Sequence, residues 1–343
     1  MHPSDKSWMV STPIVMEPHR LVRRVPLQPH QYVSSITNQP DIFVLAHFGI
    51  PRFDADTWMM EIGGLVRSPR KFSFADIRGL PKREVQTFHQ CAGFPKKHWL
   101  PTRRISNAVW AGADLKTLLD EIGLLPEARF LWSYGMDHGR FDEVSAPCYL
   151  KDMPLERLER GDVLLAYEVN GEMLDADHGA PVRLMIPGFY GTNCVKWLSR
   201  MELATTRADS PFITTLYNDP INPDAMDPYS NTYPVWEIAP ESLIVNPGPT
   251  TEVGSDPIEI WGWSWADGGV ACVEVSTDGG ESWQKARLEE QVERSWQKFR
   301  LVWKPQRSRP TALVSRAIGK NGMTQPLLNA RNAAHTVEVT VGG

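Results

Sequence analysis

The chain has 343 residues, 42% of them hydrophobic and 22% charged, with a formal net charge of -5. That length exceeds one ordinary core and predicts two domains, while the mild acidity leaves no electrostatic footprint for nucleic acid. The 28 prolines and 13 tryptophans speak against a helical bundle, because proline interrupts helices and tryptophan favours sheets.

At the N-terminus "MHPSDKSWMVSTPIVM" lacks the apolar run of a signal peptide, and Arg23 and Arg24 are followed by "VPLQPHQ" where an export signal needs a hydrophobic segment. The compartment expected is cytoplasmic for the chain as written, periplasmic if a leader was removed. No stretch approaches the roughly 20 apolar residues of a membrane-spanning helix, so no membrane span is expected. Residues 1–40, polar and proline-studded, read as an extended arm. "TWMMEIGGLV" alternates like a strand, "SFADIRGLP" reads as a short helix opened by Ser73, and "EVQTFHQCAG" as a strand running into a turn at Cys91. "DLKTLLDEIGL" places Leu115, Leu118, Leu119 and Ile122 at helical spacing, with Gly123 as its stop. The turn-rich "VNPGPTTEVGSDP" marks a boundary, beyond which "PIEIWGWSWA", "VACVEVSTDGGESWQKARLE", "SWQKFRLVWKP", "TALVSRAIG" and "HTVEVTV" alternate at the spacing of an immunoglobulin-like β-sandwich. The domains expected are therefore an arm over 1–40, a mixed α/β domain over 41–245 and a sandwich over 246–343, an α+β chain in all. "STDGGESW" matches the Asp-box of sialidase propellers, but a propeller repeats its unit; a single copy reads as a hairpin turn with Gly279 and Gly280 at positive φ.

Cys91, Cys148, Cys194 and Cys272 are widely spaced and form no CxxC pair, which speaks against zinc ribbons, c-type haem and disulfide scaffolds. The informative string is "VQTFHQCAGFPKKHWLP": a lone cysteine at a glycine-flanked strand end, followed later by His178, Arg183 and Lys196. A soft metal wants a thiolate, and an anionic group wants fixed cations; this region offers both. A lone cysteine with no such context reads as an inert core residue.

"QCAG", "VWAG", "LLAYEVNG", "DHGAPVRL" and "VKWL" occur in the order found in the sulfite oxidase family of molybdopterin enzymes, and the chain resembles that family over residues 40 to 220, with the terminal sandwich similar to its dimerisation domain. The resemblance implies a molybdenum-molybdopterin cofactor with Cys91 as the protein's metal ligand. It implies that Phe43, Val44, Leu45, Ala46 and His47 lie against the cofactor with Asp137, Cys194, Val195 and Lys196, that His178 and Arg183 hold its phosphate-bearing end, and that these two with Lys196 grip the pterin. Tyr217 and Lys96 would face the substrate. Read on their own, Asp137 is also a turn residue, Lys196 a surface charge, and His47 and Tyr217 core residues. Trp110 reads as packing.

The chain departs from the family where sulfite-oxidising members carry substrate arginines: Leu45 and Lys96 stand at two such positions, and Leu327 or Leu328 falls near a third, upstream of Asn332 to His335. Lysine does not reproduce bidentate recognition, although Lys96, Lys97, Arg103, Arg104 and His89 lie near the cysteine in sequence. The activity implied is two-electron oxygen-atom transfer on a small oxyanion or oxo-acceptor. Sulfoxide or other oxo-acceptor reduction, and a catalytically degenerate molybdopterin-binding protein, stand as alternatives, with an adhesion module as a further one. No haem motif accompanies the strings, so a separate electron-transfer partner is expected, as is a homodimer.

Overall fold

The computed structural model describes residues 14–17, 22–24, 26–93, 104–221, 226–227, 230–305, 310–328 and 330–342. Lys96, Lys97 and Arg103 lie outside them. The described chain is mostly strand with a few short helices, and no described helix is long and apolar enough to cross a membrane. It packs as two compact units. One comprises residues 1–25, 44–85 and 109–236, the other residues 26–43, 86–108 and 237–343.

The first unit holds a five-stranded sheet ordered Leu150–Pro154, Phe130–Gly135, Leu198–Ala204, Met59–Gly64 and Arg70–Ser73, in which Leu198–Ala204 and Met59–Gly64 run parallel. Leu164–Val169 pairs with residues 110–114 on one side and with Arg183–Met185 on the other. The first of these approaches requires the glycine of "VWAG", since a Cβ on Gly112 would sit 2.0 Å from the Leu165 carbonyl oxygen. Short helices decorate the sheets where local signals predict them. Ser73 opens Phe74–Gly79 through a capping box, its Oγ accepting from the Asp76 amide at 3.2 Å while the Asp76 carboxylate accepts from the Ser73 amide at 2.8 Å. Leu115–Ile122 is capped by Asp114, buries the four apolar residues read from its period, and stops at Gly123 with φ +77°.

In the second unit Glu241–Asn246, Ile258–Trp265, Gln297–Trp303 and Arg287–Leu288 form one sheet. Glu252–Val253, Thr336–Val341, Pro310–Gly319, Val270–Ser276 and Gln284–Lys285 form another. Alternate residues of both sheets, among them Ile244, Ile260, Val273, Val275, Phe299, Leu313, Val337 and Val339, make one apolar core. The "STDGGESW" segment is a turn: Asp278 accepts from Ser276 Oγ at 2.6 Å and from the Ser282 amide at 2.9 Å, with Gly279 and Gly280 at φ +79° and +101°.

The packing differs from a division at residue 245. Strand Glu241–Asn246 pairs with Ile258–Trp265 and so belongs to the second unit, as do residues 26–43 and 86–108. Buried indole N–H groups need acceptors, and the late tryptophans of this unit find them in its early segments. Trp263 Nε1 donates to the Tyr32 carbonyl at 2.7 Å and Trp296 Nε1 to the Ser35 carbonyl at 2.9 Å, while Tyr32 Oη donates to the Ile105 carbonyl at 2.9 Å.

Candidate functional site

Cys91 lies buried just past the end of strand Lys82–Gln90 in the second unit. The preceding residue anchors it. Gln90 is fully buried, its Nε2 donating to Glu241 Oε2 at 2.6 Å and to Asn332 Oδ1 at 3.0 Å, while its Oε1 accepts from Trp265 Nε1 at 2.7 Å. Asn332 is held in turn by the Ala239 carbonyl, 2.9 Å from its Nδ2, and by Gln325, whose Nε2 donates to its carbonyl at 3.0 Å. A buried amide with both donors and its acceptor engaged cannot rotate without leaving polar groups unsatisfied, so the backbone that carries Cys91 is fixed. The Cys91 amide donates to the Arg104 carbonyl at 3.0 Å. Two guanidinium groups then close on the turn. Arg104 Nη1 donates to the Gly93 carbonyl at 2.6 Å and stands 3.9 Å from Cys91 Sγ, and Arg331 donates to the Ala92 carbonyl. Phe43 stacks on His89 with ring centroids 5.6 Å apart.

A second cluster forms in the first unit. His178 is 2% exposed. Its Nδ1 and its backbone amide both meet Asp175 Oδ1 at 2.8 Å, whereas its Nε2 is buried with no hydrogen-bond partner among the described residues. Burial alone would push the Asp175 carboxyl upward; the hydrogen bonds from His178 and the Arg24 guanidinium, 2.7 Å away, outweigh it and hold that carboxyl below the usual carboxylate range. Arg183 is buried beneath this turn, donating to the His178 carbonyl at 3.0 Å and the Cys194 carbonyl at 3.3 Å, with its guanidinium 4.8 Å over the Trp110 ring. Burial draws its pKa down to about 10, which still leaves it charged at neutral pH. Lys196 Nζ donates to the Leu45 carbonyl at 2.8 Å and the Asp177 carbonyl at 3.1 Å, two of an ammonium's three donors. Burial and Arg183 lower the Lys196 pKa and Asp137 opposes that shift; burial raises the Asp137 pKa and Lys196 opposes it. The glycine of "DHGAPVRL" permits the approach: Gly179 has φ +104°, and a Cβ there would meet the Lys196 Cβ at 2.9 Å.

A third grouping, in the same unit, surrounds His47. Its ring stacks on Tyr149 at 5.3 Å and meets Phe141 and Phe212 edge-on at 4.8 and 5.0 Å, and its Nε2 lies 2.6 Å from the Tyr217 hydroxyl.

The residues read from the sequence thus fall into these groups. His178, Arg183 and Lys196 come together, with Leu45 and Cys194 joining through their carbonyls. His47 and Tyr217 are bonded to each other. Lys196 is half-buried and bonded rather than a solvated charge. Trp110 is a wall that also lies under Arg183. The Cys194 thiol faces inward, 3.4 Å from the Ile186 amide, and burial raises its pKa. Val44, Ala46 and Val195 are buried. Gln90, Asn332, Trp265 and Arg331 do not emerge as partners from local reading, although Gln90 stands inside "QCAG" and Asn332 begins the segment Asn332 to His335. Leu327 and Leu328 are exposed, and the guanidinium that this loop brings to the cysteine turn is that of Arg331.

Taken separately, a thiol beside guanidinium groups suits a soft metal, and a buried imidazole nitrogen with no partner among the described residues, near Arg183 and Lys196, suits an anion. Comparison with known proteins agrees. Residues 47–212 match the oxidoreductase molybdopterin binding domain and residues 232–337 the Mo-co oxidoreductase dimerisation domain. The chain is 31% identical to mitochondrial sulfite oxidase of Rattus norvegicus, over 90% of this chain and 62% of that protein. It is 31% identical to sulfite oxidase of Arabidopsis thaliana, over 74% of this chain and 70% of that one. The structure of the sulfane dehydrogenase SoxCD from Paracoccus pantotrophus superposes with a TM-score of 0.78 at 28% identity, covering 91% of this chain and 82% of that one. The chain spans about 62% of the length of the mammalian relative. On the evidence of the cysteine turn, the cation cluster and these matches, the chain belongs to the sulfite oxidase family of molybdopterin-dependent oxidoreductases.

Proposed function

We propose that the chain catalyses oxygen-atom transfer to or from a small oxyanion or oxo-acceptor, with Cys91 as the protein ligand to molybdenum. The observation that carries this reading is the buried His178 Nε2, which has no partner among the described residues while its other nitrogen is fixed by Asp175. Leaving such a group unpaired costs about 1–3 kcal/mol, a cost that a bound ligand removes. Arg183 and Lys196 supply the positive charge that makes that ligand an anion, and they hold the phosphate-bearing end of the cofactor. Val44 to His47 and Cys194 to Val195 flank it, as do Phe43 and Asp137. When bound, the cofactor supplies the two-electron oxygen-atom chemistry; the protein supplies orientation and field. Cys91 is held at a fixed place by Gln90, and Arg104 and Arg331 give its turn the positive potential that Leu45 does not. That potential favours a small oxyanion over an uncharged acceptor. Tyr217 faces the substrate; Lys96 lies outside the described residues.

The two sheets and common core of the second unit support an immunoglobulin-like sandwich, and the match to a dimerisation domain supports a symmetric homodimer. Electrons leave to, or arrive from, a separate partner.

The test is molybdenum and pterin content of protein made in a cofactor-competent host, for the wild type and His178→Ala, with sulfite-dependent reduction of a dye as the activity probe. The reading predicts about one molybdenum per wild-type chain, since one thiolate ligand serves one cofactor, and roughly tenfold weaker retention in the variant. Wild-type protein without metal and pterin would overturn the function. Equal retention by the variant would overturn the role of His178.

A further inference from the structure

The hydrogen bond between His47 and Tyr217 joins residues 170 positions apart, at 2.6 Å. Nothing about aromatic packing demands it. The His47 ring is held in its plane by Tyr149, Phe141 and Phe212, so Nε2 points in a direction chosen by its neighbours. Tyr217 is a non-glycine residue at φ +57°, a left-handed conformation that persists only where surrounding bonds enforce it. Those bonds are present. The Val235 amide donates to the Tyr217 carbonyl at 3.0 Å, and Asn218 Nδ2 donates to the Ile213 and Leu216 carbonyls at 2.8 and 3.1 Å. Lys151, buried and donating to the Phe212 carbonyl at 2.8 Å, stands 5.5 Å from the Tyr217 ring centroid. Strained backbone, fixed imidazole and the Lys151 contact together hold the phenol oxygen in space, and the bond to His47 sets the rotation of its O–H.

We propose that His47 is the positioning residue for Tyr217, accepting a hydrogen bond from the phenol O–H at Nε2 so that the hydroxyl is presented in one orientation, the two acting as a unit. The inference rests on the reading above that Tyr217 faces the substrate. A phenol is a better donor than a neutral imidazole N–H, so the bond runs O–H to N with the imidazole proton on Nδ1, and because an imidazolium is a stronger acid than a phenol the shared proton stays on oxygen. Burial, with Lys196 and Lys151 adding to it, lowers the proton affinity of His47 and keeps the ring neutral, as an acceptor must be. His47 does not touch the substrate in this account; it acts through Tyr217.

Two readouts on the full-length, cofactor-loaded protein test this. In the first, ¹⁵N-labelled histidine is observed by NMR in the wild type and Tyr217→Phe. The expected result is an Nδ1-protonated His47 whose Nε2 resonance shifts when the phenol oxygen is removed; an Nε2-protonated ring, or a resonance unmoved by the substitution, overturns the proposal. In the second, sulfite-driven dye reduction is compared for His47→Phe, which keeps a ring among its neighbours, Tyr217→Phe and the double variant. The expected result is a roughly tenfold loss of kcat in each single variant, the size of one lost hydrogen bond, no further loss in the double variant, and partial recovery in His47→Gln, whose side chain again offers an acceptor. Losses that multiply in the double variant overturn the proposal. Wild-type turnover by Tyr217→Phe overturns the substrate-facing role of Tyr217 instead, and the NMR readout then still decides whether His47 holds the hydroxyl.

Discussion

Adding a proton to His47 costs more in the folded chain than in water, because the ring is enclosed by Tyr149, Phe141 and Phe212 and because Lys196 and Lys151 add positive charge nearby. Burial first, then those two lysines, lower its pKa from 6.5 to about 4. Between these values the unfolded chain binds the proton that the folded chain refuses, so stability is complete above about pH 6.5 and declines as pH falls toward 4. The shift corresponds to at most about 3 kcal/mol. Denaturant unfolding measured across this range should therefore show the wild type losing more stability on acidification than His47→Phe; parallel curves would refute this account of the ring's surroundings. At this scale the sequence is legible where neighbours in a short string meet in the fold, as Arg183 and the His178 carbonyl of "DHGAPVR" do. It is illegible where a residue matters through a distant partner. Gln90 is held by Trp265, Glu241 and Asn332, and no local period or spacing connects them.

The elements carry their own signals. Ser73, Asp114 and Gly123 do in the structure what capping chemistry asks of them, and the strand ending at Gln90 lies where "EVQTFHQCAG" reads as one. The glycines within motifs are the instructive cases, since a four-letter string does not say whether its glycine serves a turn or a close approach. In "VWAG" it is a close approach. A Cβ on Gly112 would fall 2.0 Å from the Leu165 carbonyl oxygen and 2.6 Å from Ala166 Cα, both backbone atoms of a paired strand that cannot swing aside. Gly112→Ala is expected to cost about 3 kcal/mol or more. Gly79→Ala, where an added Cβ meets nothing within 4 Å, should stay within about 0.5 kcal/mol of wild type. Urea denaturation of the two variants checks the contrast, and equal midpoints would mean that the strand pairing at Gly112 is looser than described.

On the scale of the whole molecule, the change of texture near Pro247 predicts where a second domain begins, but membership of the two units does not follow chain order. Reading proceeds along the chain and predicts contiguous domains, whereas the second unit includes residues 26–43 and 86–108, whose Tyr32, Ser35 and Gln90 accept hydrogen bonds from its late tryptophans. The consequence is functional. Cys91 is carried by a segment whose anchor, Gln90, is bonded to Glu241, Trp265 and Asn332 of the terminal region, so the proposed metal ligand is held by the same unit that matches a dimerisation domain. The claim on which the account turns is that this sulfur binds molybdenum. X-ray absorption at the molybdenum edge tests it directly, by comparing the sulfur shell of wild-type holoprotein with that of Cys91→Ser. The account predicts one fewer sulfur neighbour in the variant. A sulfur shell unchanged by the substitution would contradict it.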